Sequence, residues 1–170
     1  RRIDDHESAV HYFQISLKVE PFNEANLYRL ATSFSYLGEF DKAQKLFEKI
    51  LTLNSIHVHT HYSLANLNIK SSAKAHISRL KNLLDTQKLN TFEIYYLKYS
   101  LFKEYEILEE YKEAFDNLSS ANTLRKKETK YCFEQDKKLF QAIRTVDLYD
   151  HPPSIPNTNN MQPIFIVGMP

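Results

Sequence analysis

Along the middle of the chain, apolar residues recur at the spacing of a helix. Leu27, Leu30, Ala31, Phe34 and Leu37 fall at i, i+3, i+4, i+7 and i+10, one stripe of an amphipathic helix. Gly38 interrupts the stripe, and Phe40, Ala43, Leu46, Phe47 and Ile50 then trace a second one. Two short helices joined at a glycine make a helical hairpin, predicted from Glu24 to Leu53. Its small residues Ala31 and Ala43 let the paired backbones approach closely.

The pattern repeats. Shifted back by 34 residues, Ala9 takes the place of Ala43, Phe13 that of Phe47, and Pro21 closes the unit. A further copy runs through Leu101, Phe102 and Tyr105 and then Tyr111, Ala114, Leu118 and Ala121, with Glu109 where the turn glycine would stand. Between these copies lies a degenerate one. Tyr62, Leu64, Ala65 and Leu67 precede a break expected at Ser71 and Ser72, and Ile77, Leu80, Leu83 and Leu84 follow it. Ala43 and Ala114 are 71 residues apart, two periods plus three. A period of 34 residues, with Leu30, Ala31, Gly38, Phe40, Ala43 and Phe47 at these places, resembles the tetratricopeptide repeat. A non-repetitive helical bundle is the competing reading. Repeats account better for hairpins that each leave one apolar face for a neighbour to cover.

A last helix is expected from Lys126 to Val146, its Phe133, Leu139, Phe140 and Ile143 capping the array. The pattern changes at Asp150. The stretch "DHPPSIPNTNNMQP" holds Pro152, Pro153, Pro156 and Pro163 without periodicity and reads as a linker over residues 150–163. Ile164, Phe165, Ile166 and Val167 follow without polar interruption, the pattern of a strand buried on both faces of a parallel sheet, and Gly168 ends it. The expected class is therefore all-α: tetratricopeptide-like repeats and a capping helix over residues 1–149, the linker, and one terminal β-strand over residues 164–170.

Composition narrows the chemistry. The 170 residues carry a net charge of +1, which gives no long-range pull toward nucleic acid or anionic lipid, so neither is an expected partner. A single cysteine, Cys132, forms no internal disulfide and suits a reducing, cytoplasmic compartment. No apolar run nears the roughly 20 residues of a membrane span. Only two glycines, Gly38 and Gly168, are present, which argues against a glycine-rich phosphate loop within these residues.

Several constellations invite a chemical reading and a plainer one. In "HVHTH", His57, His59 and His61 could share a strand face, or His57 and His61 one helix face, and so grip zinc or copper. No Asp, Glu or Cys close in sequence completes a ligand set, so a structural or surface role is expected. Glu104, Glu106, Glu109, Glu110 and Glu113 interleave with Lys103 and Lys112 and read as a solvated helix face. Arg125, Lys126, Lys127 and Lys130 form the one basic cluster, placed where a helix is expected to begin. Cys132 beside Phe133 reads as a buried thiol. Tyr28, Tyr36, Tyr95, Tyr96, Tyr99 and Tyr105 are candidates for a surface that holds a protein or peptide, though most are expected to pack between helices.

The order of repeats, linker helix and final "PIFIVGMP" resembles a family of bacterial proteins in which tetratricopeptide repeats precede a sulfotransferase domain similar to the tyrosylprotein sulfotransferases. Ala114, Phe115, Ala121, Asn122, Arg125, Lys126 and Asp136 stand at matching places in the joining segment. The resemblance implies a parent enzyme that transfers a sulfuryl group from 3′-phosphoadenosine-5′-phosphosulfate (PAPS) to an acceptor hydroxyl. It places Gly168, Met169 and Pro170 at the entrance of the PAPS-binding loop, contributing backbone shape, with the catalytic residues beyond Pro170. On that view this chain is an inactive scaffold. The alternative is a non-enzymatic adaptor whose repeats bind a partner peptide.

Overall fold

The computed structural model describes residues 5–129 and 132–145, which form eight α-helices and no strand. They belong to two units, Arg1–Lys130 and Tyr131–Pro170. The first holds α1 (His6–Val19), α2 (Glu24–Tyr36), α3 (Phe40–Leu53), α4 (Val58–Ala65), α5 (Lys70–Thr86), α6 (Thr91–Ile107) and α7 (Tyr111–Thr129); the second holds α8 (Phe133–Thr145). The expected linker, strand and residues Gly168, Met169 and Pro170 lie outside the described residues.

The hairpin predicted over Glu24 to Leu53 is α2 and α3. Asn23 starts it, its side chain accepting from the Asn26 amide at 3.0 Å. Gly38 ends α2 with φ 76, and the next amide, of Glu39, donates to the Phe34 carbonyl at 2.9 Å. That bond back across five residues closes the helix around a left-handed residue. The same device recurs at the α6–α7 turn, where Glu109 has φ 65 and the Glu110 amide donates to the Tyr105 carbonyl at 3.0 Å. Glu109 thus adopts the backbone of the glycine it replaces, because the turn is fixed by the helices on either side.

The middle repeat departs from the expected boundaries. Its break lies at Asn66 to Ile69, where Asn68 takes φ 56, and Ser71 and Ser72 sit inside the first turn of α5. Asparagine tolerates the left-handed region, whereas serine fits a first helical turn; the Ser72 hydroxyl bonds the Ile69 carbonyl at 3.1 Å. The last two helices also differ from expectation. Leu124, Arg125, Lys126, Lys127 and Glu128 are strong helix formers without a breaker, so α7 runs on to Thr129 and the basic cluster closes a helix instead of opening one. The expected cap of Lys126 to Val146 is correspondingly the shorter α8.

Two apolar cores divide the first unit. Leu27, Leu30, Phe34, Phe47, Ile50 and Leu51 make the first with Leu64 and Leu67 from α4 and its turn, and Val10, Phe13 and Leu17 of α1 pack against it. Ile77, Leu80, Leu83, Leu97, Leu101 and Tyr105 make the second, joined by Val58 at the start of α4. Alanines mark the closest approaches: Ala31, Ala43, Ala73 and Ala121 are each 0% exposed. Helix α4, eight residues and about 12 Å long, is too short to hold its shape alone. It belongs to both cores, and between its two apolar ends lie Thr60 and His61, each 0% exposed.

The turn chemistry is testable. A Cβ at Gly38 meets nothing within 4 Å, so Gly38→Ala carries a conformational cost alone, about 1 to 2 kcal/mol. Glu109→Gly removes the same strain but loosens the unfolded chain, leaving a net gain of roughly 0.5 to 1 kcal/mol. Urea unfolding of the two variants should shift the midpoint in opposite directions.

Candidate functional site

Helices α4, α6 and α7 together build a groove. Tyr95, Tyr96 and Tyr99 come from α6, Tyr62 from α4, and Asn122 and Arg125 from α7, around a cavity of about 380 Å³. That volume falls within the range of ligand sites, about 300 to 1,000 Å³. The rings fix one another edge to face, with centroids 6.0 Å apart for Tyr62 and Tyr96, 6.4 Å for Tyr62 and Tyr99, and 6.0 Å for Tyr95 and Tyr99. His59 and Phe92 extend the aromatic surface, their rings 4.7 Å from that of Tyr96.

Polar groups organise the α7 side. The Tyr99 hydroxyl donates to Asn122 Oδ1 at 2.7 Å and accepts from Arg125, which holds the guanidinium more basic than usual. Arg125 forms no ion pair among the described residues, and one hydroxyl leaves most of its five donors available. Burial, then the nearby Glu128 carboxylate, pushes the Tyr95 phenol up. The groove therefore offers broad apolar ring surface with a cation and an amide at one edge.

Beneath this aromatic surface in the sequence, at the residue before Tyr62, runs a buried polar chain. His61 Nε2 lies 2.9 Å from the Ser55 carbonyl, His61 Nδ1 lies 2.9 Å from His76 Nε2, and His76 Nδ1 lies 2.5 Å from Glu104 Oε1. A carbonyl only accepts, so His61 Nε2 carries a proton. One further proton occupies each of the other two bonds. Three hydrogen bonds hold three protons, and two imidazoles with one carboxylate carrying three protons have zero net charge. The buried chain is thus satisfied at every link, as are all buried side-chain polar atoms among the described residues. Arg79 flanks it, forked onto Glu48 of α3 at 2.8 and 2.9 Å.

The arrangement places the candidate residues as follows. Tyr95, Tyr96 and Tyr99 line the groove. Tyr105 is buried in the second core, and Tyr36 stacks on His6. Tyr28 packs against Phe47 and pairs its hydroxyl with that of Ser63 at 2.8 Å. The three histidines separate in function: His57 caps α4 by accepting from the Thr60 amide, His59 touches the groove aromatics, and His61 enters the buried chain. Among the described residues no cluster of His, Cys, Asp and Glu is set to hold a metal ion.

Two expectations are corrected here. Glu104 is 4% exposed, not part of a solvated face, because it is the partner that His76 requires inside the core. Cys132 is exposed, at the residue before α8 instead of within a buried helical face. Sequence reasoning missed Tyr62, His76 and Glu104 as site residues. The repeat alignment held a signal: 71 residues before Glu104 stands Ser33, itself 5% exposed.

No protein-family model and no curated protein matches the chain. Among solved structures, one titled "MamA RS-1 ArsTM double mutant" is similar at a TM-score of 0.53 and 19% identity. The match covers 70% of this chain, which spans 65% of the length of that one. MamA is a tetratricopeptide-like helical protein, and the likeness is one of fold. The described residues therefore fold as tetratricopeptide-like helical repeats. No comparison links the chain to a sulfotransferase, and no helix among the described residues is long and apolar enough to cross a membrane.

Two consequences can be measured. Burial holds the His61 pKa down from 6.5 to about 4. The unfolded chain therefore takes up a proton that the folded one refuses between those values. Stability is full above pH 6.5 and declines as pH falls toward 4, by about 3 kcal/mol from this residue. Chemical denaturation across that interval reads the slope. Independently, Glu104→Ala strands His76 in the core and should cost about 3 to 5 kcal/mol, whereas Glu104→Gln, which still accepts a bond, should cost less.

Proposed function

We propose that the chain is a protein-interaction scaffold that holds an extended peptide segment of a partner in the tyrosine groove. The observation that carries this reading is the groove itself. Four tyrosine rings are already fixed by one another and by the helices, so a ligand gains apolar contact without paying to order them. Arg125 and Asn122 stand where a peptide carbonyl or carboxylate can be held, giving direction to the docked segment. Helical-repeat architecture is consistent with this role but does not by itself assign it.

Selection of a displayed library of random dodecapeptides on the protein tests the reading. Peptides should be enriched, and their binding to Tyr96→Ala or Arg125→Gln should fall at least about tenfold, the loss of an anchoring contact. Failure to enrich any peptide, or enriched peptides that bind the two variants as well as they bind the parent, would overturn it.

A second, larger reading rests on the sequence of residues 163–170: the chain is the repeat region of a PAPS-dependent sulfotransferase, its groove positioning the acceptor. The basic cluster does not supply the anion site, since Arg125 to Lys127 lie at the C-terminal end of α7, where the helix dipole disfavours an anion. PAPS recognition would then belong to Gly168, Met169, Pro170 and the loop they introduce. Calorimetric titration of PAPS should show no binding to this chain and binding to one extended beyond Pro170; no binding to the extended chain would count against the enzyme reading.

A further inference from the structure

We propose that the His61–His76–Glu104 chain is an acid-released catch that holds the tyrosine groove in its binding shape at neutral pH and lets it open on acidification. The inference rests on the groove being the binding site and adds its regulation.

The argument is one of proton count and placement. The three hydrogen bonds of the chain contain three protons and leave no place for a fourth. A fourth on His61 Nδ1 would set two N–H groups against each other across 2.9 Å, and would put a net positive charge in a site where both rings are 2% exposed or less. Other groups around His61 do not absorb that charge. From α3 and its following loop it faces Glu48 and the Ser55 carbonyl, from α5 His76 and Arg79, and from α6, beyond His76, Glu104. Glu48 is already forked onto Arg79 and Glu104 onto His76. On α4 itself, His57 and His59 add further positive charge when protonated, on the same side of neutrality.

The element that yields is α4. With eight residues it is the shortest helix described, and its N-terminal cap is itself a histidine side chain, His57, whose lone pair on Nδ1 accepts from the Thr60 amide and is lost on protonation. Tyr62 follows His61 directly and is the sole groove wall contributed by α4; the remaining walls come from α6 and α7, which pack on each other. Separation of His61 from His76 therefore draws one wall from the groove while the others stay. The first core, built mainly from α2 and α3, contains none of the chain's members.

Heteronuclear NMR of the whole chain from pH 7.5 to 4.5 tests this without any ligand, so its failure is separate from failure of the peptide reading. Amide signals of Tyr62, Tyr96 and Tyr99 should shift or broaden together in a transition below pH 6.5, while those of Leu27 to Ile50 stay dispersed. His59, exposed against Tyr96, is the competing sensor, and His59→Gln should leave the transition in place. Three results would overturn the proposal: no change at the groove down to pH 4.5, loss of α2 and α3 signals in the same transition, or abolition of the transition by His59→Gln. If the transition occurs but no peptide is ever selected at neutral pH, the catch stands and the peptide reading falls.

Discussion

A chain of three hydrogen bonds holding three protons joins α4, α5 and α6, and the middle of the molecule depends on it. The flanking repeats close on apolar packing alone, with alanines at their tightest contacts. The central repeat has a helix of only eight residues and places a histidine, 0% exposed, where the preceding repeat places Ala31. An imidazole in that position must be fully bonded or the repeat does not close. Ser55, His76 and Glu104 supply the bonds, and the requirement that every link be filled fixes the spacing of three helices at once.

The same constraint explains why the aromatic surface is a groove and not a scatter of side chains. His61 fixes the rotation of α4, which sends Tyr62 toward Tyr96 and Tyr99. Tyr99 in turn engages Asn122, and Arg125 joins the same hydroxyl, so the α7 edge is set by a second polar chain at the surface. A buried network and an exposed one thus hold opposite sides of one site, and only the buried one carries protons that titrate near neutrality.

Much of the fold was legible because period and punctuation agree. The stripe of Leu27 to Phe34, the glycine at 38 and the stripe of Phe40 to Ile50 locate α2 and α3 to the residue, and the Ala43 to Ala114 spacing locates α7. The middle repeat was harder: Asn68 provides the left-handed turn that the pattern sought at Ser71 and Ser72. The site was legible only in part. Tyr95, Tyr96 and Tyr99 stand out as a run, but Tyr62 reaches them through tertiary packing. Glu104 sits among surface carboxylates in the sequence, and its pairing with a histidine 28 residues away follows from the crossing of α5 and α6, which no local pattern encodes.

The most direct test of the account counts the protons. In nitrogen-15-edited NMR of the histidine rings at pH 7.5, His61 and His76 should show slowly exchanging ring N–H signals. Couplings should place one proton on His61 Nε2, one between the two rings and one between His76 and Glu104. Rapidly exchanging rings that titrate independently near the ordinary value for histidine would contradict it.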